Sequence, residues 1–352
     1  MSPASNRKRR VLVTGATGFL GQHVLLALQR RPDVEVIAAC RSPGKLPPDF
    51  SGEVRRGDLR DGAYRAAMVR DVDVICHAGT WGAFWGHADE ERREFLEPTV
   101  DLIQCAIEAG VTRFLLASSV VIAAVPKPGG SVDDFAPTER SGYWPHLDYL
   151  IELDTLMKQR SVEGTQMVNM RLGHFVGAGN VRGIVPALIP RLRTGMVPWL
   201  RGGKARLALV AGEDMGEAFA LAATAPQLQA YESFNICGSE FPTARETISF
   251  IAERARTPKP WFSVPFALGY AFGWIMEKLG RLMPSGSPFL TRSIVRVSED
   301  WFCPTGYAEA KLGYRPQRNW RDAVSESIEE LRASGFPWPS LAQATSAGKE
   351  PA

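Results

Sequence analysis

The chain has 352 residues, of which 45% are hydrophobic and 22% charged. That balance describes a soluble globular protein with a sizeable core in one or two domains. A net charge of +3 is too small to argue for nucleic acid, and none is expected as a partner. Five scattered cysteines (Cys40, Cys76, Cys105, Cys237, Cys303) form no Cys-x-x-Cys pair. They suit reduced thiols in the cytoplasm and exclude a disulfide framework, and no metal site is expected.

Arg7-Lys8-Arg9-Arg10 is a short basic lead-in, read as a solvated terminus. It runs straight into the first strand with no separate apolar region and cleavage site, so no secretory signal is expected. Val11–Val13 is strand-like and opens Thr14-Gly15-Ala-Thr-Gly18-Phe-Leu-Gly21, after which a helix follows. Strand, glycine turn and helix together make a dinucleotide seat. Gly15 and Gly18 let the backbone approach a pyrophosphate, and Gly21 lets the helix pack on the sheet. The helix N-terminus offers free N–H groups. Gly15, Thr17, Gly18, Phe19, Leu20 and Gly21 are the candidate cofactor-binding residues.

Further strands are expected at Val34–Ala39, Val72–Cys76 and Phe114–Ala117, with helices at Val24–Arg30, Tyr64–Val69 and Thr99–Ala109. Two more strands fall at Gln166–Arg171 and Glu232–Ile236, with a helix from Leu147 to Arg160 before the first. Alternating β and α at this spacing predicts an α/β fold, a Rossmann-type doubly wound parallel sheet. The sheet domain is expected over 1–180 plus about 204–237. A smaller, discontinuous substrate domain takes about 181–203 and 238–336, and 337–352 reads as a disordered tail. Val264–Met276 is apolar but too short to span a bilayer. A core helix lining a pocket is the first reading, and a monotopic membrane contact the second.

The second strand ends Cys40-Arg41-Ser42 with no acid to hold a ribose 2′-hydroxyl. Arg41 can pair with a 2′-phosphate instead, so NADP(H) is expected over NAD(H). Ser118 and Ser119 close the fourth strand at its carboxyl end, where open α/β sheets bind ligands.

The Thr14-Gly15-x-x-Gly18-x-x-Gly21 spacing resembles the extended short-chain dehydrogenase/reductases, the NAD-dependent epimerase/dehydratase family. Met170-Arg171-Leu-Gly-His-Phe-Val-Gly-Ala-Gly179 is similar to the segment that closes over the nicotinamide in that family. The resemblance implies that Asp58 and Leu59 meet the adenine and that Ser119 hydrogen-bonds the reacting oxygen. It also implies a catalytic Tyr-x-x-x-Lys. Tyr149 stands in the tyrosine position and Leu153 in that of the lysine. Phe95 stands where the family carries an asparagine. Both departures replace a polar group by an apolar one and weaken proton transfer. Tyr307-Ala-Glu-Ala-Lys311 has the spacing but reads as a surface helix far from the sheet.

Pro288–Thr291, Lys311–Pro316 and the Val264–Met276 stretch resemble the 3β-hydroxysteroid dehydrogenase group of the family. That group implies an apolar, ring-containing small-molecule substrate. Trp81, Phe84 and Trp85, in the loop after the third of these strands, are the candidate pocket residues, with a buried core as the other reading. The expectation is an NAD(P)H-dependent oxidoreductase that reduces a ketone or oxidises a secondary alcohol. It would be a cytoplasmic homodimer with a second option of membrane association. The alternatives are a sugar-nucleotide epimerase or dehydratase, and a non-catalytic NADP-binding regulator.

Overall fold

The computed structural model describes residues 7–127, 129–280 and 288–334. The tail expected at 337–352 lies outside the described residues. The first half runs β1 (Arg9–Thr14), α1 (Phe19–Gln29), β2 (Val34–Cys40), β3 (Glu53–Arg56), α2 (Gly62–Met68), β4 (Val74–His77), α3 (Ala88–Glu91), α4 (Glu97–Glu108), β5 (Arg113–Ser119) and α5 (Pro145–Arg160). A π-helical turn, Arg92–Leu96, joins α3 to α4. The second half runs β6 (Gln166–Leu172), β7 (His174–Val176), α6 (Ile184–Arg193), β8 (Trp199–Leu200), β9 (Leu209–Ala211), α7 (Gly212–Thr224) and β10 (Tyr231–Ile236). After these come α8 (Ala244–Ala255), β11 (Ser263–Val264), α9 (Phe266–Gly280), α10 (Arg292–Val297), α11 (Gly306–Leu312) and α12 (Trp320–Ala333).

Seven strands form one parallel sheet in the order β10-β6-β5-β4-β1-β2-β3. The strand order reverses between β1 and β4, which opens a crevice beyond their carboxyl ends. Alternation along the strands divides the core. Val11 and Val13 pack on α1 and α7, whereas Leu12 faces the layer that holds α4 and α5. Leu20, Val24, Leu25 and Leu28 of α1 are buried, each burial being worth about 1.5–3 kcal/mol. Helix α7 lies close against α1 because Gly212 and Gly216 face His23: a Cβ at 216 would sit 2.4 Å from the His23 carbonyl oxygen. Helices α6, α8, α9, α10 and α12 and the two short sheets, β11-β8 and β7-β9, build a separate region C-terminal to the main sheet.

Three elements depart from the sequence reading. Strand β3 was missed because it is an edge strand of Glu-Val-Arg-Arg with no fully buried residue, so it has no apolar run. Helix α9 is not a core helix. Gly269, Gly273 and Gly280 lie on one face, and a Cβ at 273 would fall 2.9 Å from the Arg292 amide. That close packing leaves Leu268, Phe272, Trp274, Ile275 and Leu279 exposed. Helix α11 is not far from the sheet. Tyr307 stacks on Phe234 of β10 and donates to Glu232 at 2.8 Å. Glu232 sits at the amino end of β10, so the pair Tyr307 and Lys311 stands away from the carboxyl edge. Among the described residues, no helix is long and apolar enough to cross a membrane.

Candidate functional site

The crevice between β1 and β4 is floored by Gly15. Its φ is +63°, and an added Cβ would lie 2.5 Å from Gly79. Only glycine fits that left-handed turn and close crossing. The Gly18 amide donates to the Gly15 carbonyl at 2.9 Å and closes the turn. A Cβ at Gly21 would be 2.1 Å from the same carbonyl, so α1 starts directly against it. Gly18 caps α1 with no side-chain hydrogen bond, which leaves the first-turn amides without a side-chain cap. A dinucleotide pyrophosphate fits this cradle. Thr17 is half-buried at the turn, its carbonyl accepting from Gln22 at 3.2 Å. Leu20 is core, so only its backbone can serve a ligand. Phe19 meets the nicotinamide-side segment: its ring lies 6.2 Å from that of Phe175 and borders Gly177 and Gly179.

At the ribose corner Arg41 is exposed, but it does not stand alone. The Asp58 carboxylate lies 4.0 Å from its guanidinium and 2.7 Å from that of Arg60. The hydrogen bond from Arg60 holds the Asp58 carboxyl below the usual range, so it carries a negative charge near Arg41. A 2′-phosphate would meet that charge alongside the guanidinium groups of Arg41 and Arg60. Leu59 is half-buried, and its carbonyl accepts from Arg65.

On the other side of the crevice, β4 ends at His77. Thr99 spends its hydroxyl proton on the Phe95 carbonyl at 2.6 Å. It therefore accepts from His77 Nε2 at 3.0 Å, while His77 Nδ1 accepts from Thr14 at 2.6 Å. Burial lowers the His77 pKa to about 4, so the ring is neutral. The Phe95 ring lies parallel to it at 6.5 Å. Phe95 thus supplies an apolar wall beside His77.

Ser119 is half-buried and held by two long contacts, to the Leu172 carbonyl at 3.5 Å and from the Val121 amide at 3.4 Å. Ser118 points to the opposite face of β5, and its buried hydroxyl has no partner. Tyr149 is 8% exposed, and its hydroxyl donates to the Ala88 carbonyl at 3.1 Å. Leu153, one turn on, is fully buried. The cation found near Tyr149 is Arg92, whose guanidinium sits 5.2 Å over the ring face and not at the hydroxyl. Phe84 is 44% exposed and stacks on Trp144 at 5.4 Å, while Trp81 and Trp85 are half-buried. These three rings line an open loop and are not a sealed core.

Sequence reasoning missed a pair beside this loop. His146 Nδ1 hydrogen-bonds the buried carboxylate of Glu91. The available signal was the position of His146, three residues before Tyr149 on the same helix. Among the described residues, no group of three His, Cys, Asp or Glu could hold a metal.

A parallel Rossmann sheet with a glycine cradle and hydroxyls at its carboxyl edge defines a nicotinamide-dependent oxidoreductase fold. Residues 11–237 match the NAD dependent epimerase/dehydratase family, and the chain belongs to it. The protein is an NAD(P)-dependent oxidoreductase acting on CH–OH/C=O groups. It is 28% identical over 344 residues to a 3β-hydroxysteroid dehydrogenase/Δ5→4-isomerase of Mycobacterium tuberculosis, covering 91% of this chain and 89% of that one. Among solved structures it is similar to MoeE5 in complex with UDP-glucuronic acid and NAD (20% identity, TM-score 0.70, 92% of this chain and 99% of that one). It is also similar to a Thermus thermophilus UDP-glucose 4-epimerase in complex with NAD (19%, TM-score 0.68, 92% and 99%).

These comparisons correct three expectations. The solved relatives named with a cofactor carry NAD, not NADP(H); here Asp58 places a carboxylate against the one cation that suggested a 2′-phosphate. The bound substrates they name are nucleotide sugars, which overturns the apolar ketone or alcohol as substrate and the apolar small molecule as partner. The aromatic loop misled because flat rings that suit a lipophilic ligand suit the face of a sugar or base equally.

Proposed function

We propose that the protein catalyses NAD-dependent hydride transfer at a secondary carbinol of a nucleotide-activated sugar, in the manner of an epimerase or dehydratase. The observation that carries this reading is the cradle of Gly15, Gly18 and Gly21 at the same carboxyl edge of the parallel sheet as Ser119, at the end of β5, and the aromatic loop that follows β4. Support for the substrate class comes from the nucleotide sugars named in solved structures that share this fold over nine-tenths of the chain. The 3β-hydroxysteroid dehydrogenase subgroup, to which the 28%-identical relative is named, is not needed by this reading.

NAD held in the cradle would supply the hydride acceptor and donor. The residues do the rest. The α1 N-terminus holds the pyrophosphate, and Asp58 meets the adenosine end. Ser119 donates to the reacting oxygen, and Tyr149 borders it. The half-exposed rings of Trp81, Phe84 and Trp85 receive the flat face of the sugar or base. Leu153 occupies the position of the family's lysine, so α5 offers no cation one turn after Tyr149.

Thermal-shift titration tests the reading with NAD, NADP, UDP and UDP-glucose as probes. A ligand at a hundred times its Kd stabilises the fold by about 2.7 kcal/mol. NAD and the uridine nucleotides are expected to raise the midpoint. A protein that responds to NAD but to no nucleotide or nucleotide sugar contradicts the substrate class. One that binds NAD and never exchanges hydride is a cofactor-binding module without turnover.

A further inference from the structure

We propose that His146 and Glu91 form an acid–base dyad that takes over the proton-transfer role for which α5 no longer has a lysine. The inference rests on the hydride-transfer reading above. His146, Tyr149 and Leu153 stand at i, i+3 and i+7 of α5, on one stripe of the helix. The resembled family places a cation one turn after the tyrosine. Here an imidazole stands one turn before it.

The geometry is that of an oriented base. Glu91 is fully buried at the end of α3. One of its oxygens meets His146 Nδ1, and the other, Oε2, has no partner. A carboxylate can only accept, so Nδ1 carries the ring proton and the Nε2 lone pair is left open. Among the described residues Nε2 takes no hydrogen bond, and a fifth of the His146 side chain is exposed. The ring is clamped by its neighbours. Phe95 lies 5.5 Å away and Trp144 6.5 Å, centroid to centroid. Gly82 of the aromatic loop closes over it so tightly that a Cβ there would lie 2.5 Å from Nδ1. A buried carboxylate that fixes the tautomer of a half-open imidazole is the arrangement by which histidine acts as general base. Tyr149, by contrast, has its hydroxyl engaged by the Ala88 carbonyl.

In the oxidative direction Nε2 takes the proton of the substrate hydroxyl. The carbinol C–H bond breaks with its electron pair passing to NAD⁺ as hydride, and C=O forms. Reduction returns the hydride and takes the same proton back from Nε2–H.

The test uses the full chain, with side-chain nitrogen NMR of its five histidines and the His146→Gln spectrum as assignment. The neutral His146 ring is expected to carry its proton on Nδ1, and Glu91→Leu is expected to lose that preference. Gly82→Ala is expected to do the same by displacing the ring. With UDP-glucose and NAD⁺, His146→Gln is expected to lose about 10²- to 10⁴-fold in turnover while its affinity for NAD⁺ stays within about twofold. Adding Leu153→Lys to His146→Gln is expected to restore part of the loss. A parent ring protonated on Nε2 overturns the dyad, as does full turnover in His146→Gln. If the parent exchanges no hydride with UDP-glucose, the substrate reading fails separately, and the nitrogen shifts still decide the dyad.

Discussion

Asp134→Asn separates two opposed effects at a buried charge. Asp134 is 6% exposed, and its Oδ1 accepts from the Asn235 amide at 2.6 Å. Burial pushes its pKa up to about 6 from an ordinary 3.8, against the pull of that amide and of Arg171. Arg171 is itself fully buried, with Nε and Nη2 unpartnered. Because the folded pKa lies above the unfolded one, the native state binds the extra proton between these values. Stability from this group is therefore intact at low pH and falls as pH rises through 4 to 6. Two pKa units correspond to about 3 kcal/mol, fully expressed above pH 7 and reduced to about 1 kcal/mol at pH 4.5. Asparagine keeps the acceptor oxygen and removes the charge. Urea unfolding followed by tryptophan fluorescence should find Asp134→Asn more stable than the parent at pH 8. The margin should shrink by about 2 kcal/mol on going to pH 4.5. A variant destabilised at pH 8 would refute the reasoning, since Asp134 would then be the counter-ion that Arg171 requires, outweighing its own desolvation.

Three further outcomes follow from the site. Gly15→Val should abolish NAD binding in a folded protein, because its Cβ would meet Gly79 at 2.5 Å in a turn with φ at +63°; retained affinity by fluorescence titration would count against the cradle. Asp58→Ala should narrow the preference for NAD over NADP, since it removes the carboxylate 4.0 Å from Arg41; an unchanged ratio of dissociation constants would refute that role. Tyr149→Phe should cost less turnover than His146→Gln, because the Tyr149 hydroxyl is held by Ala88; the reverse ranking in steady-state kinetics would return the proton to the tyrosine.

The parallel sheet and the cradle were legible in the sequence because both depend on local pattern. Apolar runs alternate with amphipathic stretches, and three glycines stand three apart. Edge strand β3 was not legible, since a strand with no buried face carries no period. Helix α9 misled for a related reason. Its hydrophobicity was plain, but which face packs was set by Gly269 and Gly273 meeting α10. At the site, Leu153 and Phe95 were placed by the resemblance alone. Glu91 and His146 lie 55 residues apart, and only the fold brings them together. Arg41 pointed to NADP(H), whereas the solved structures named with a cofactor carry NAD; the Asp58 carboxylate, beyond β3 in sequence, lies 4.0 Å from it.

The central claim is hydride exchange between bound NAD⁺ and a carbinol carbon of a nucleotide sugar. UDP-glucose deuterated at C4, incubated with the protein and NAD⁺, tests it directly by mass spectrometry of the cofactor and proton NMR of the sugar. Deuterium appearing in NADH, or a sugar returned with altered configuration at C4 or as the keto-sugar, is the expected result. Full retention of label and configuration, with NAD⁺ and UDP-glucose both bound, would contradict it.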